Sequence, residues 1–203
     1  MEGRNRKLNR WAGFDYSQTG FYFVTICTHN RIKWFGTVKN GKMILNEYGK
    51  IADKLWREIP KHYSGVTNVV HQIMPNHVHG VIWIVGTGHR PVLSANGGLI
   101  LSEQNNNRPP DDRTEQCSVP TGPINDKYGL LSKIMKSYKE MVVKTIRKQI
   151  GNYEFAWQRS FHDRVIRNDD EFNRICAYII NNPINWGTDR NNRQTSSTKN
   201  TTS

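Results

Sequence analysis

His77-Val78-His79 sets two imidazoles at alternate positions within Met74-Pro75-Asn76-His77-Val78-His79-Gly80-Val81-Ile82-Trp83-Ile84-Val85. From His77 to Val85 the run is almost unbroken in β-formers and apolar residues, which predicts a strand. Alternate side chains of a strand share a face, so the two rings point the same way, roughly 6.5 Å apart along the chain. Neutral imidazole is a common metal ligand, and two at this spacing can chelate one divalent ion. A strand would hold them rigidly. Val81, Trp83 and Val85 continue their face, and Val78, Ile82 and Ile84 line the other, as expected of a central strand. The pair alone leaves open two histidines that merely stand at a strand entrance.

A nucleophile has two candidates among the helical tyrosines. Tyr138 falls in the middle of its apolar stripe and reads as core. Tyr178 lies roughly 110° from the centre of the stripe Phe172, Ile175, Cys176 and Ile179. Arg174 and Asn182 are its i−4 and i+4 neighbours and share its edge. A tyrosine so placed either projects its hydroxyl into a cleft or is an ordinary half-exposed helix residue. The Asn182 carbonyl oxygen is a candidate further metal ligand.

These groups need a scaffold. At 203 residues the chain suits one domain. Phe21 to Thr28 reads as a strand. Trp34 to Leu45 reads as a hairpin turning at Asn40-Gly41. Asn46 caps a helix from Glu47 to about Glu58, which Pro60 is expected to stop. Val66 to Ile73 is a second main strand, and Pro75-Asn76 turns the chain into the histidine strand. Residues 87–126, rich in Gly, Asn, Pro and Ser, read as a long mobile loop, either an insertion or a segment that orders on substrate. Tyr128 to Ile150 is an amphipathic helix with Leu131, Ile134, Met135, Tyr138, Val142, Thr145 and Gln149 on one stripe. Phe161 to Arg167 is a fourth strand and Asp169 to Asn182 a last helix, ended by Pro183. This order is the split βαβ arrangement of an α+β, ferredoxin-like (RRM-like) antiparallel sheet with helices on one side. Residues 1–19 form a basic N-terminal arm, 20–186 the folded domain and 187–203 a disordered tail.

Lys and Arg number 29 against 17 Asp and Glu, a formal net charge of +12. Such a balance argues for a polyanionic partner. Cys27, Cys117 and Cys176 show no metal or redox spacing and fit reduced thiols. No run reaches the length needed to span a bilayer, and the basic N-terminus is followed by no apolar run, so a cytoplasmic protein without membrane attachment is expected.

Four motifs in order carry a more specific likeness: Gly20-Phe21-Tyr22-Phe23-Val24-Thr25, Met74-Pro75-Asn76-His77-Val78-His79-Gly80, Trp157-Gln158-Arg159-Ser160-Phe161-His162-Asp163, and Tyr178-Ile179-Ile180-Asn181-Asn182-Pro183. With these the chain resembles the single-tyrosine HUH transposases, especially the REP-associated tyrosine transposases of bacteria, from about Gly20 to Trp186. The resemblance implies that His77 and His79, with Asn182, hold Mg²⁺ or Mn²⁺ and that Tyr178 is the nucleophile. It implies attack on single-stranded DNA beside hairpins of extragenic palindromes, a covalent 5′-phosphotyrosine and a freed 3′-OH, so strands rejoin without ATP. Candidates for DNA contacts are Arg4, Arg6 and Lys7 of the arm, then Lys133, Lys136, Lys144, Arg147, Arg159, Arg164 and Arg167. Trp157 or Phe161 either stacks on a base or packs in the core. The protein is expected to act as a monomer or homodimer. The alternatives are a non-catalytic DNA-hairpin-binding regulator domesticated from such a transposase, and an RNA-binding protein with exposed aromatics on its central strands.

Overall fold

A computed structural model of the chain describes residues 19–85, 90–93, 99–102 and 129–192. The strands are β1 (Gly20–Cys27), β2 (Gly36–Lys39), β3 (Lys42–Leu45), β4 (Val66–Met74), β5 (His77–Ile84), β6 (Arg90–Leu93), β7 (Leu99–Ser102) and β8 (His162–Ile166). The helices are α1 (Glu47–His62), α2 (Leu130–Ile150) and α3 (Asp169–Asn181). The main sheet has the antiparallel order β4-β5-β1-β8. With α1 and α2 as its two crossovers, this is the ferredoxin-like α+β fold expected from the element order.

The alternation of β1 and β5 sorts their side chains onto two faces. Tyr22, Val24 and Ile26, with Val78 and Ile82, face α1 and α2, which supply Ala52, Trp56, Leu131, Ile134 and Val142 to one core. The other face carries Phe21, Phe23 and Val81, and α3 packs across it with Phe172, Ile175 and Ile179. Thus α1 and α2 share one side, while the last helix covers the other. Beneath that cover Phe21 packs 4.8 Å, ring to ring, from Phe172.

At Gly80 the Trp56 side chain of α1 lies directly against the sheet backbone. A Cβ there would stand 2.2 Å from Trp56 Cζ2. Gly80→Ala is expected to destabilise the fold by roughly 1–3 kcal/mol through overpacking, seen as a lower urea midpoint with unchanged slope; an unchanged midpoint would contradict the packing.

Helix α1 does not stop at Pro60 but continues to His62. Proline removes the N–H that would bond the carbonyl four residues earlier, at Trp56. Asn68 Nδ2 donates to that carbonyl at 2.6 Å instead, from the irregular part of β4. The turn at Asn40-Gly41 has positive φ at both residues, 50° and 69°, as a two-residue hairpin requires.

Two further expectations change. Within 87–126, β6 and β7 pair antiparallel, and the intervening sequence Asn96-Gly97-Gly98 is a hairpin signal. The rest of that stretch lies outside the described residues. Gly187 to Asn192 are not part of a disordered tail: 3₁₀ turns at Trp186–Thr188 and Arg190–Asn192 fold back on the domain, with Asn191 buried. Residues 193–203, and the arm with Arg4, Arg6 and Lys7, also lie outside the described residues. No helix among the described residues is long and apolar enough to cross a membrane.

Candidate active site

Strand register builds the site. Pairing places His162 (β8), Thr25 (β1), His79 (β5) and Gln72 (β4) in one row across the face that carries α3. The apolar part of α3 covers the next rows, and its last turn ends over this polar one. Asn168 starts the helix by accepting a hydrogen bond from Glu171 N at 2.8 Å. Asn182 is its C-terminal cap.

At that end Tyr178 Oη stands 3.2 Å from His79 Nε2. The phenol ring is edge-on to His79, centroids 5.2 Å apart, and to Phe23 at 6.3 Å. Thr25 Oγ1 hydrogen-bonds His79 Nδ1 at 2.8 Å, and Phe23 stacks on the same imidazole. Tyr178 remains 42% exposed and borders a pocket of about 470 Å³ with His162, Asn182, Asp189 and Arg190. An adjoining cleft of about 440 Å³ shares Thr25, His162 and Arg190 and adds Arg31, Gln158 and Phe161.

The hydrogen bonds around Asn76 fix the His77 tautomer. Asn76 Nδ2 donates to Arg31 O (3.0 Å) and Asn191 O (2.8 Å). Its Oδ1 must therefore face His77 Nδ1, 2.8 Å away, and accept that proton. His77 Nε2 is left as a lone pair, buried and without a hydrogen bond. Asn182 Oδ1 is likewise buried and unpaired, while Asn182 Nδ2 donates to Asp189 Oδ2 at 3.0 Å. Asn182 still faces His77 closely enough to favour its protonated form, although the two do not meet hydrogen-bond geometry. Ligand atoms of His77, His79 and Asp189 all lie within 4.8 Å of one another. Two buried acceptors without a protein partner, beside a carboxylate, offer the nitrogen and oxygen lone pairs that a cation takes.

Burial, then the Arg31 charge, lowers the His77 pKa to about 3, against Asn182. Burial, then His77, holds His79 well below 6.5; Arg190 and His162 act in the same direction and Asp189 against. Both rings stay neutral in the fold while the unfolded chain takes up protons near pH 6.5. Their contribution is complete above that pH and falls away as pH drops toward the folded values, by up to about 1.4 kcal/mol per pH unit for each ring. Urea midpoints are expected to be flat from pH 8 to 7 and to decline below pH 6.5. A flat profile down to pH 5 would contradict neutral, buried imidazoles. Burial, with Asp189, raises the Tyr178 phenol above its ordinary value, against Arg190 and Asn182. The phenol is therefore protonated at neutral pH.

No family model matches the sequence. An uncharacterized protein of Haemophilus influenzae is 30% identical over 192 residues, covering 92% of this chain and 92% of that protein. The chain belongs to that protein's family. The solved structure of a REP-associated tyrosine transposase bound to a REP hairpin matches with a TM-score of 0.52 and 13% identity, over 88% of this chain and 74% of that one. The likeness gives this chain the fold of that transposase.

The fold thus brings His77, His79, Tyr178 and Asn182 together. The cations are placed differently. Lys133, Lys136, Lys144 and Arg147 lie on α2, which packs on the opposite side of the sheet. Lys136 is 3.9 Å from Glu140. Arg164 is ion-paired with the buried Glu171. Arg159 is exposed in the segment beside the cleft, and Arg167 is exposed after β8. Trp157 is core, against Phe155 and Tyr138, whereas Phe161 is half-buried at the cleft.

Sequence reading missed Asp189, Arg190 and Arg31 at the site, and Asn76 was read only as a turn residue. Asp189 had one signal: it is the single acidic residue after Glu171. Arg31 comes from a turn in which Asn30 and Arg31 both have positive φ, 52° and 56°. Its guanidinium donates to Asn191 Oδ1, tying that turn to the C-terminal fold-back.

Proposed function

We propose that this protein is a metal-dependent tyrosine transposase that cleaves and rejoins single-stranded DNA beside hairpins through a covalent 5′-phosphotyrosine. One observation carries the reading: a half-exposed phenolic oxygen lies 3.2 Å from an imidazole nitrogen at the edge of a buried cluster with two unpaired acceptors. The DNA in the structurally similar transposase supports the choice of substrate.

A divalent cation held by His77, His79 and the oxygens of Asn182 and Asp189 would neutralise charge developing on the scissile phosphate. Thr25 orients His79, and Asn76 orients His77, so that the ligand nitrogens keep their lone pairs. Tyr178 Oη attacks phosphorus in line and the P–O3′ bond breaks. The phenolic proton passes to water at the open mouth of the pocket, and the departing 3′ oxygen takes a proton from water there and leaves as a hydroxyl. Attack of a 3′-OH on the phosphotyrosine reverses the step and joins strands. Arg31 and Arg190 stand where backbone phosphates would enter. Asn182 and Asp189 are hard oxygen donors and favour Mg²⁺ or Mn²⁺. Asp189 brings the donor set to four.

Incubation with a labelled DNA hairpin carrying single-stranded flanks and Mn²⁺ tests the reading. A protein–DNA adduct stable in denaturing gel is expected. Hairpin binding with no adduct at any divalent ion would instead establish the non-catalytic regulator.

A further inference from the structure

On the side of the sheet away from Tyr178, the end of α2 and the segment after it enclose an open groove of about 640 Å³. Its floor is apolar, with Val143, Phe155 and Trp157, and its rim is basic, with Lys144, Arg147 and Lys148. Tyr153 stands at this rim and is 74% exposed, more than any other large hydrophobic side chain among the described residues. The Arg147 guanidinium lies over its ring, 5.9 Å from the centroid. The loop that carries it is braced: Asn152 Oδ1 accepts from Glu154 N and Phe155 N, and Asn152 Nδ2 donates to Tyr48 Oη at 2.9 Å.

Cations in the last turn of a helix offset its dipole, which accounts for Arg147 and Lys148. It does not account for a tyrosine held out in water beside them. Glu140 is the one carboxylate lining the groove, and Lys136 lies 3.9 Å from it. A rigid, exposed aromatic among cations over an apolar floor is the arrangement that holds single-stranded nucleic acid: a base stacks on the ring and phosphates meet the charges.

We propose that this groove is a second DNA site, which takes an unpaired nucleotide of the substrate strand with its base on Tyr153 and its phosphates on Lys144, Arg147 and Lys148. The proposal rests on the DNA reading above. Chain continuity links the groove to the active site. Phe155 to Trp157 line the groove, and Gln158, Ser160, Phe161 and His162 line the cleft that adjoins the Tyr178 pocket. The five residue-to-residue steps from Trp157 to His162 span at most about 18 Å, a gap that a few nucleotides bridge.

The test is fluorescence anisotropy with labelled dT10, which has neither hairpin nor cleavage site, on the full chain without added metal. Tyr153→Ala is expected to weaken binding about tenfold, and Tyr153→Phe to bind as the parent does. Arg147→Gln is expected to lower the slope of log affinity against log salt by about one. Equal dT10 affinity for the parent and Tyr153→Ala would overturn the proposal. So would displacement of dT10 by polyglutamate of matched charge with no sensitivity to Tyr153→Ala, because the groove would then read charge alone, as for an acidic protein partner. Thermal melting of each variant confirms folding. Failure of the hairpin adduct assay would remove the transposase reading but leave this result standing, because dT10 binding involves no cleavage.

Discussion

Replacing Tyr178 by phenylalanine is expected to abolish the covalent protein–DNA adduct while leaving hairpin binding within about twofold. The substitution removes one oxygen. The ring contacts with His79 and Phe23 at 5.2 and 6.3 Å need only the ring. The hydroxyl's contact with His79 is at the pocket surface, on a residue 42% exposed, so little fold stability is at stake. Loss of a nucleophile typically lowers turnover by roughly 10³-fold or more. Tyr138 offers no substitute: its Oη donates to Ala52 O in the core beneath α1 and α2. An adduct of undiminished yield in Tyr178→Phe would dispose of the assigned nucleophile. Lost DNA binding would instead give Tyr178 a recognition role.

Replacing either site histidine by alanine is expected to have the next largest effect. His77→Ala removes a buried nitrogen lone pair that has no protein partner, and His79→Ala removes both a candidate ligand and the partner of the phenol. Each should reduce adduct formation by roughly 10³-fold, as losing a charge-stabilising centre does. A second readout is independent of catalysis. A ligand that binds only the folded state raises its stability, by about 2.7 kcal/mol at a hundred times its dissociation constant. The melting temperature of the parent chain is therefore expected to rise with added Mn²⁺, and that of His77→Ala to stay where it is. An equal rise in both would place the ion elsewhere.

Much of this site was legible because its parts obey local rules. Alternation on β5 put His77 and His79 on one face, and the helical wheel separated Tyr178 from the stripe of α3. Two errors came from non-local rescue. Asn68 supplies the hydrogen bond that Pro60 denies Trp56, so α1 runs on to His62. Asn191, through its backbone carbonyl and its side chain, anchors the C-terminal segment to Asn76 and Arg31. That turns a stretch with the composition of a disordered tail into a wall of the pocket and delivers Asp189. Neither contact leaves a periodicity in the sequence, since each joins residues far apart in the chain. The hairpin of β6 and β7 was legible in principle, from Asn96-Gly97-Gly98 between two short apolar runs, but was masked by the polar composition around it.

The cations illustrate a different limit. A helical wheel assigns Lys133, Lys136, Lys144 and Arg147 to the wet face of α2, yet it does not say which side of the sheet that helix will occupy. The fold puts it opposite Tyr178; Arg190, from the C-terminal fold-back, lines the pocket that holds the phenol, and Arg31, from a turn, lines the adjoining cleft.

The most direct test of the phenol and the two imidazoles as one strand-cleaving site is peptide mapping by mass spectrometry of the adduct formed with a hairpin substrate and Mn²⁺. The account predicts a 5′-phosphorylated nucleotide on Tyr178, within the tryptic peptide from Ile175 to Arg190, and a free 3′-OH on the released strand. A nucleotide linked to any other residue, or through its 3′ end, would contradict it.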